Sequence, residues 1–337
     1  MSKAWKIILI VVSSLLITIL IAGSVYFFWP WHRDFFKNAD EEFGIPGLDT
    51  SFCPQGMTEI SGYNKYLISG YMDDGSPSRF YLIDAETKKV DKYVILNIDG
   101  KLYNGHAGGV ASYGSTLWTF SKEGEKGYGF RFRVSDIINA ENGGEIKLGS
   151  YNYFETWNGA DFAFVTDKIL WVGEFYRDDN YLTDTNHHLT TRSGETNPAI
   201  IYGFNIDEGK NTGLSDTAPK KAISVRGLVQ GIALTENGNF VVSTSYSIPN
   251  STIYYYKDIL NEEAHDTLKI GLTEMDLWYL DNKSLIKETS IPSMSEEIFV
   301  KNNRVYILFE SACKKYKMFN RTRIDSVYSV PVDYFAK

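Results

Sequence analysis

The sequence has few of the features that mark common catalytic classes. Its 337 residues include only five His and two Cys, and the two Cys do not form a CxxC motif. It has no GxSxG elbow, HExxH pair, Walker loop, CxxCH or dinucleotide fingerprint. Serine hydrolases of the elbow type, zincins, nucleoside triphosphatases and haem proteins are therefore disfavoured. A formal charge of −8 also argues against a nucleic-acid partner.

Helical periodicity is absent beyond the first thirty residues, and proline is scarce. A hydrophobic share of 43% with 23% charged residues is ordinary for a globular chain. The 23 Tyr and 20 Phe favour strands, and 28 Gly with nine Pro indicate many turns rather than long linkers. The composition therefore predicts an all-β protein.

One long hydrophobic run stands out at the start. Residues 7–29 carry no charge, and a helix of this length crosses the roughly 30 Å of a bilayer core. An aromatic group, Tyr26 to Trp31, follows at the end where such rings prefer the membrane interface. The run predicts a membrane anchor, with residues 1–6 as a short cytoplasmic tail.

A cleaved signal peptide is the alternative interpretation. Lys3 and Lys6 would form its basic region, and Ala22-Gly23-Ser24 would supply the small residues of a cleavage site. The apolar run continues beyond that point, which favours the uncleaved anchor. Either interpretation predicts residues 30–50 as a stalk and residues 51–337 as an ectodomain outside the cytoplasm, in a single-pass protein of the cell membrane. The acidic excess argues against adhesion of this ectodomain to acidic lipid headgroups.

A unit recurs five times in the ectodomain. Each copy has a polar or glycine-containing motif that leads into a short apolar strand, then a turn, then a stronger apolar strand. The motifs begin at Gln55, His106, Asn158, Gln230 and Ser295, and the second strands begin at Tyr66, Leu117, Ile169, Phe240 and Arg304. Between the copies, alternating segments predict further strand pairs, 79–84 with 90–96 and 277–281 with 285–291.

Four strands per repeat are typical of a propeller blade. The sequence therefore predicts a β-propeller of five blades, with a sixth degenerate blade and a β-sandwich as the alternatives. The inner strand of each blade begins near the central channel. Glycines at these starts are expected to allow close approach of neighbouring backbones.

Polar residues at these strand starts would ring one channel mouth. Carboxylate and amide oxygens there suit a small molecule, or Ca²⁺ or Mg²⁺, although no cofactor is required by the sequence. Each residue alone also fits a turn cap. Because neighbours on a strand alternate, Glu296 and Glu297 are not both expected to face the channel. The candidate ligand-binding residues are Gln55, Asn104, Asn158, Asp161, Glu174, Gln230, Glu296 and Glu310, and the candidate catalytic residues are His106 and Glu297.

Two further features bear on the channel mouth. A polar insertion at residues 177–197 has the composition of a lid over the channel. Cys53 precedes the first repeat and Cys313 follows the last, so a closed ring would make them neighbours. In an oxidising exterior they would form a disulfide, with two buried free thiols as the alternative.

The segment from Gln230 to Ser245 resembles the inner blade motif of gluconolactonase-like and strictosidine-synthase-like propellers. In that superfamily, lactonases hold a divalent cation in the channel with Glu, Asn and Asp ligands. Here Gln230 occupies the position of the Asn ligand, and the turn reads Glu236-Asn237-Gly238. The resemblance implies a propeller fold and, as an alternative function, a lactonase or esterase.

Three functions follow as hypotheses, and the sequence leaves open whether the protein is an enzyme. The first is binding of a small molecule, or of a surface protein or glycan, at the channel mouth of a propeller held in the lipid bilayer by residues 7–29. The second is a divalent-metal-dependent hydrolase with Glu297, Asn158 and Asp161 around the cation. The third is a structural scaffold.

Overall fold

The computed structural model of the protein describes residues 2–28, 31–124 and 126–337, without the side chains of residues 26–28. The predicted aromatic group at the end of the anchor therefore lies outside the described side chains, apart from Trp31. One N-terminal helix is followed by a ring of β-sheets. The sheets are blades 1–5 in chain order, and the four strands of a blade are its inner, second, third and outer strands, counted from the central channel.

The N-terminal helix spans Lys3–Phe28. Its stretch Lys3–Val25 is apolar and long enough to cross a membrane, and it is not buried against the propeller. The same length and composition would suit a signal sequence. The Ser14 and Thr18 hydroxyls donate to main-chain carbonyls one turn earlier, at 2.8 and 2.9 Å. These polar groups are thereby satisfied within the helix.

Residues 40–331 form a five-bladed β-propeller, so the predicted fold is confirmed, and the described residues contain no sixth blade. The inner and second strands of every blade coincide with the five sequence repeats. Blades 1–4 are meanders in which antiparallel strands pair in chain order from the centre outwards. In that order, blade 1 contains Phe52–Ile60, Lys65–Met72, Arg79–Asp84 and Val90–Ile98; blade 2 contains Val110–Tyr113, Thr116–Glu123, Lys126–Arg133 and Tyr153–Glu155; blade 3 contains Phe162–Thr166, Ile169–Gly173, Ala199–Asn205 and Lys221–Val225; and blade 4 contains Val229–Leu234, Phe240–Thr244, Ser251–Tyr256 and Leu285–Ile291.

Blade 5 joins the two ends of the chain. Its first three strands are Ser295–Lys301, Arg304–Phe309 and Ser326–Pro331, and its outer strand is Asp40–Gly44 from the N-terminal side. Main-chain hydrogen bonds between strands far apart in sequence thereby close the ring.

The N-terminal part of residues 30–50 differs from the expected stalk. A short helix, Arg33–Asn38, precedes the outer strand of blade 5. Phe35 is 1% exposed, in the apolar cluster between blades 4 and 5. Phe43 is also buried and stacks on Tyr66 of blade 1, with ring centroids 5.1 Å apart. Burial of these two rings holds the segment on the propeller.

Two blades are widened by strands that the following blade contributes. Gly144–Leu148 pairs in parallel with Val90–Ile98 of blade 1, and Thr273–Tyr279 pairs in parallel with Lys221–Val225 of blade 3. The second of these also pairs with Asp266–Ile270. The remaining short elements are the helices Val134–Asn139 and Val332–Ala336, the 3₁₀ turns Ser150–Asn152 and Thr185–His187, and the strands Lys101–Leu102, Leu189–Thr190 and Thr196–Asn197.

The predicted pairing of 277–281 with 285–291 is therefore wrong, although both segments contain strand. Thr273–Tyr279 extends blade 3, whereas Leu285–Ile291 pairs with Ser251–Tyr256 in blade 4. Leu277 and Trp278 point to opposite faces of their strand and are both buried, in two different apolar clusters. A hairpin at the rim of blade 4 would leave one of these faces in water.

The five inner strands contact one another in sequence around the central channel. A Cβ atom on Gly231 of blade 4 would lie 2.7 Å from the Cα of Glu297 in blade 5. A Cβ atom on Gly108 would lie 2.5 Å from the carbonyl oxygen of Asp161 in blade 3. Glycine at these strand starts therefore allows the blades to approach closely, as expected.

Candidate functional site

A funnel opens at the end of the channel where the inner strands begin. Its cavity measures about 220 Å³, and every blade contributes at least one polar residue to it. These are Gln55, His106, Asp161, Gln230 and Glu296, in blade order. Glu310, which follows the second strand of blade 5, also lines the cavity. The structure thus brings together six of the predicted site residues.

β-Bulges shift the strand register where three of these side chains lie. The inner strands of blades 1, 4 and 5 change register between Pro54 and Gly56, between Val229 and Gly231, and between Ser295 and Ile298. A bulge changes the direction of a side chain relative to strict alternation. Gln55, Gln230 and Glu296 lie within these bulges, and all three line the funnel.

The bulge in blade 5 also overturns the expectation that only one of Glu296 and Glu297 faces the channel. Glu296 lines the funnel, while Glu297 reaches the inner strands of three other blades. Its Oε2 accepts hydrogen bonds from the backbone N–H groups of Met57 and Val110, both at 2.9 Å. Its Oε1 accepts one from Ala163 at 3.3 Å. Burial raises the pKa of Glu297 well above its ordinary value, despite these three donors. Glu297 therefore joins blades 1, 2, 3 and 5 at the axis.

Glu296 and Glu310 form a carboxyl pair in the funnel. Burial raises the pKa of Glu310 to about 7 and that of Glu296 well above its usual range. The negative charge of Glu310 adds to the increase in the pKa of Glu296. Glu310 also accepts a hydrogen bond from the Nε2 of Gln55 at 2.9 Å. Because its pKa is about 7, Glu310 is partly protonated near neutral pH.

Asp161 is the third carboxyl group of the funnel. Its Oδ2 accepts a hydrogen bond from the backbone N–H of Phe175 at 2.7 Å. Burial raises the pKa of Asp161 to about 7, and that hydrogen bond opposes the increase. Asp161, like Glu310, therefore exchanges its proton near neutral pH.

His106 stacks on Tyr71, with ring centroids 4.8 Å apart. Its side chain keeps access to the funnel. Desolvation by the protein atoms around the ring lowers its pKa to about 4, and the positive charge of Lys315 adds a smaller decrease. The ring is therefore neutral at physiological pH. No contact joins His106 to Glu297 in the described residues, so the two predicted catalytic groups are not brought together.

Three other predicted residues lie away from the cavity lining. Asn158 is buried, and its Nδ2 donates to the carbonyls of Val172 at 2.8 Å and Ile200 at 3.2 Å. Glu174 accepts a hydrogen bond from Ile200 N at 3.0 Å and contacts His187 Nδ1 at 2.7 Å. Asn104 is exposed outside the funnel. The first two therefore hold blade 3 and the insertion together.

The metal set expected from the sequence does not fit a cation. Glu297 uses both oxygens on backbone donors, and Asn158 uses its amide group on the backbone of blade 3. Within the described residues, no three His, Cys, Asp or Glu side chains are arranged as metal ligands. No step through Ca²⁺ or Mg²⁺ is derived for this site.

An aromatic wall was not predicted from the sequence. Phe175 and Tyr246 each lie two residues beyond a second strand, and both line the funnel with Tyr181 and Tyr316. Tyr181 belongs to the 177–197 insertion, so the expected lid forms part of the rim. Because Phe175 and Tyr246 occupy the same position relative to their repeats, the sequence alone could have identified them as residues of the funnel.

Cys53 and Cys313 lie next to each other, as expected for a closed ring. Their Sγ atoms are 3.2 Å apart, both residues are buried, and both are free thiols here. A disulfide requires a separation of about 2.05 Å. The bond therefore stays a prediction.

No family model matches this chain, and neither does any curated protein sequence. Solved structures that resemble it include a glutaminyl cyclase from Myxococcus xanthus, at 11% identity, with 87% of this chain and 95% of that chain covered and a TM-score of 0.43. They also include the PQQ-bound aldose sugar dehydrogenase from Streptomyces coelicolor, at 10% identity, 87% and 96% coverage and a TM-score of 0.46. BamB from Moraxella catarrhalis matches at 11% identity, 82% coverage of both chains and a TM-score of 0.34. These values carry no evidence about ligand or activity, and the propeller assignment stands on the strand pairing.

Proposed function

We propose that the protein is a membrane-anchored binding propeller, with its ectodomain outside the cytoplasm, whose funnel takes a small organic cation. An amine or quaternary ammonium group of the ligand would lie among Asp161, Glu296 and Glu310. The ligand is small because the cavity of about 220 Å³ is below the range of drug-sized sites. A concave site of this size suits a small molecule better than a surface protein or glycan.

The observation that carries the proposal is three carboxyl groups in one cavity without a cationic partner. Within the described residues, neither Lys nor Arg forms an ion pair with Asp161, Glu296 or Glu310. Burial raises the pKa of all three groups, and the charges of Lys122 and Lys315 offset this increase only in part for Asp161 and Glu310. A bound cation would supply the missing positive charge.

The remaining lining supports the same ligand class. The faces of Tyr181, Tyr246 and Phe175 offer cation–π contacts, which are worth more when the cation is desolvated. Arg177 already occupies one such position, 4.1 Å from the centroid of Tyr246. The amides of Gln55 and Gln230 add hydrogen-bonding groups that orient a polar ligand.

Hydrolysis without a metal is the second candidate. Two neighbouring carboxyl groups are the acid–base arrangement of aspartic proteases, and Glu296 and Glu310 are two neighbouring carboxyl groups of the funnel. A purely structural role predicts no ligand at all. Binding experiments therefore distinguish it from cation binding and from hydrolysis.

The first prediction concerns matched pairs of cationic and neutral compounds. Full-length protein in nanodiscs is heated with choline or 3,3-dimethylbutanol, and with glucosamine or glucose, and its unfolding is followed by intrinsic fluorescence. A cation at a hundred times its dissociation constant adds about 2.7 kcal/mol, or about 5 °C for a domain of this size. At least one cation is expected to raise Tm while its neutral partner does not.

The double variant Glu296→Gln/Glu310→Gln should abolish this increase, because it removes two of the negative charges. Glu288→Gln removes an exposed carboxylate from the outer strand of blade 4 and should leave the increase unchanged. Equal shifts with cations and neutral partners, or a shift that survives in the double variant, would refute the proposal. Cleavage of ester or lactone substrates by the wild-type protein alone would support the hydrolytic candidate instead.

A further inference from the structure

A basic and apolar patch lies at one side of the funnel rim. It comprises residues 314–323 and Trp31 and is called the rim patch below. Its loop contains five basic residues and no acidic one, in a chain whose formal charge is −8. Met318 and Phe319 between them are 71% and 63% exposed. Exposed apolar side chains flanked by Lys and Arg are typical of segments that lie on anionic membranes.

The rim patch is attached to the segment that follows the membrane helix. The guanidinium of Arg321 lies 4.4 Å from the ring centroid of Trp31 and donates a hydrogen bond to Asn250. The next helix, Arg33–Asn38, is fixed on the propeller by the buried side chain of Phe35. The chain therefore joins the propeller immediately beside the rim patch.

Chain length places this junction at the membrane surface. Only two residues separate Phe28, the last residue of the membrane helix, from Trp31. At no more than about 3.6 Å per residue, Trp31 lies within about 11 Å of the helix end. The interfacial layer of a bilayer extends several ångströms beyond the hydrocarbon. Arg321, in contact with Trp31, is thus held in or next to the headgroups.

The same patch borders the funnel. Tyr316 lines the cavity, and its hydroxyl lies 3.3 Å from that of Tyr71. Lys315 Nζ donates to the Tyr71 hydroxyl at 2.8 Å and pairs with Asp73 at 3.2 Å. These contacts tie the inner end of the patch to blade 1. The funnel and the anchor are therefore on the same end of the propeller.

We propose that the rim patch binds anionic phospholipid headgroups of the bilayer that holds the chain, and so keeps the funnel mouth at the membrane surface. Lys314, Lys317 and Arg321 would contact phosphate groups, while Met318 and Phe319 would enter the interface. The net negative charge of the ectodomain predicted no adhesion to acidic lipid headgroups. The loop of the rim patch, however, is positively charged. The proposal is independent of the ligand that the funnel takes.

Hydrogen exchange tests it on the full-length protein in nanodiscs. Backbone amides of residues 314–323 are compared in phosphatidylcholine discs and in discs with 30% phosphatidylglycerol. Each Lys at an anionic surface contributes roughly a fivefold gain in binding. Protection in the anionic discs is therefore expected to fall about thirtyfold, or to the neutral-disc level, in Lys314→Glu/Lys317→Glu. It should also fall in 0.5 M NaCl, which shortens the screening length.

Matched variants keep the result specific. Lys101→Glu/Lys147→Glu makes the same charge change on exposed residues of blade 1 and its added strand, and it should keep the protection. Met318→Ser/Phe319→Ser should lower it, whereas Leu272→Ser/Tyr151→Ser, at exposed apolar positions elsewhere, should not. Protection of the buried strand Phe240–Thr244 confirms folding in every sample.

Three results would overturn the proposal. The first is equal exchange of residues 314–323 in both kinds of disc. The second is an equal loss of protection in the blade 1 control. The third is protection in detergent micelles on addition of inorganic phosphate, which would assign the patch to a free anion rather than to lipid.

Discussion

The variant Glu297→Ala is expected to lose about 3–6 kcal/mol of unfolding free energy. The substitution leaves the backbone N–H groups of Met57, Val110 and Ala163 buried without an acceptor. Each such group costs roughly 1–3 kcal/mol. Because a domain has only about 5–15 kcal/mol in total, the variant should be partly unfolded at physiological temperature. Urea unfolding of the full-length protein, followed by fluorescence, measures the loss.

Two controls separate the hydrogen bonds from the charge. Glu297→Gln keeps one oxygen for Met57 and Val110 and loses only the weaker bond to Ala163, so it should cost about 1–2 kcal/mol. Glu288→Ala, at an exposed position, should change stability by less than about 0.5 kcal/mol. A Glu297→Ala variant as stable as the Glu288→Ala control would contradict the role of Glu297 at the axis.

The second large effect is a loss of stability as the pH rises from 6 to 8. A carboxyl group with a raised pKa in the folded state holds a proton that the unfolded chain has released. Folding therefore loses free energy as the pH rises from the unfolded value towards the folded one. Asp161 and Glu310 have folded pKa values of about 7, against ordinary values of 3.8 and 4.5. Because each group contributes about 1.4 kcal/mol over this interval and funnel water weakens the effect, the expected loss is about 1–3 kcal/mol.

Histidine acts in the opposite direction only at lower pH. The pKa of His106 is lowered to about 4 from an ordinary value of 6.5. Its contribution to the unfolding free energy therefore increases from pH 4 to pH 6.5 and is constant above pH 6.5. Above pH 6.5 the carboxyl groups dominate. Urea unfolding at half-unit steps should therefore show a fall that is steep below pH 7 and levels off above it. The fall should be smaller in Glu310→Gln, which cannot release a proton. Stability that is constant or rises from pH 6.5 to 8 would refute the raised pKa values.

Much of the fold could be predicted because each repeat is local. Apolar alternation marks the inner and second strands, and close packing requires glycine at positions such as Gly231. The strand that closes the ring could not be predicted, because Asp40–Gly44 pairs with a strand nearly three hundred residues away. The transfer of Thr273–Tyr279 to blade 3 was missed for the same reason. Pairing between distant segments depends on which surfaces meet in the folded chain, and a local pattern does not encode it.

The candidate site was predicted in position but not in detail. Gln55, His106, Asp161, Gln230, Glu296 and Glu310 line the funnel as expected, and their function stays a prediction. Strict alternation predicted that only one of Glu296 and Glu297 faces the channel. This was wrong because the bulge in blade 5 interrupts the alternation of side chains along the strand. Asn158 and Glu174 have polar side chains of the right type, but the backbone of blade 3 uses their hydrogen-bonding groups.

A cation that binds among the funnel carboxyl groups should release protons from them. Isothermal titration calorimetry at pH 6.5, in buffers of different ionisation enthalpy, counts the protons released when the tightest cation of the panel enters the funnel. The bound cation favours ionised Asp161 and Glu310, whose pKa values of about 7 leave them largely protonated beforehand. The proposed site therefore predicts release of about one proton per ligand at pH 6.5, and a smaller release at pH 8.5. Binding without proton release at pH 6.5, or with proton uptake, would contradict a cation site built on these carboxyl groups.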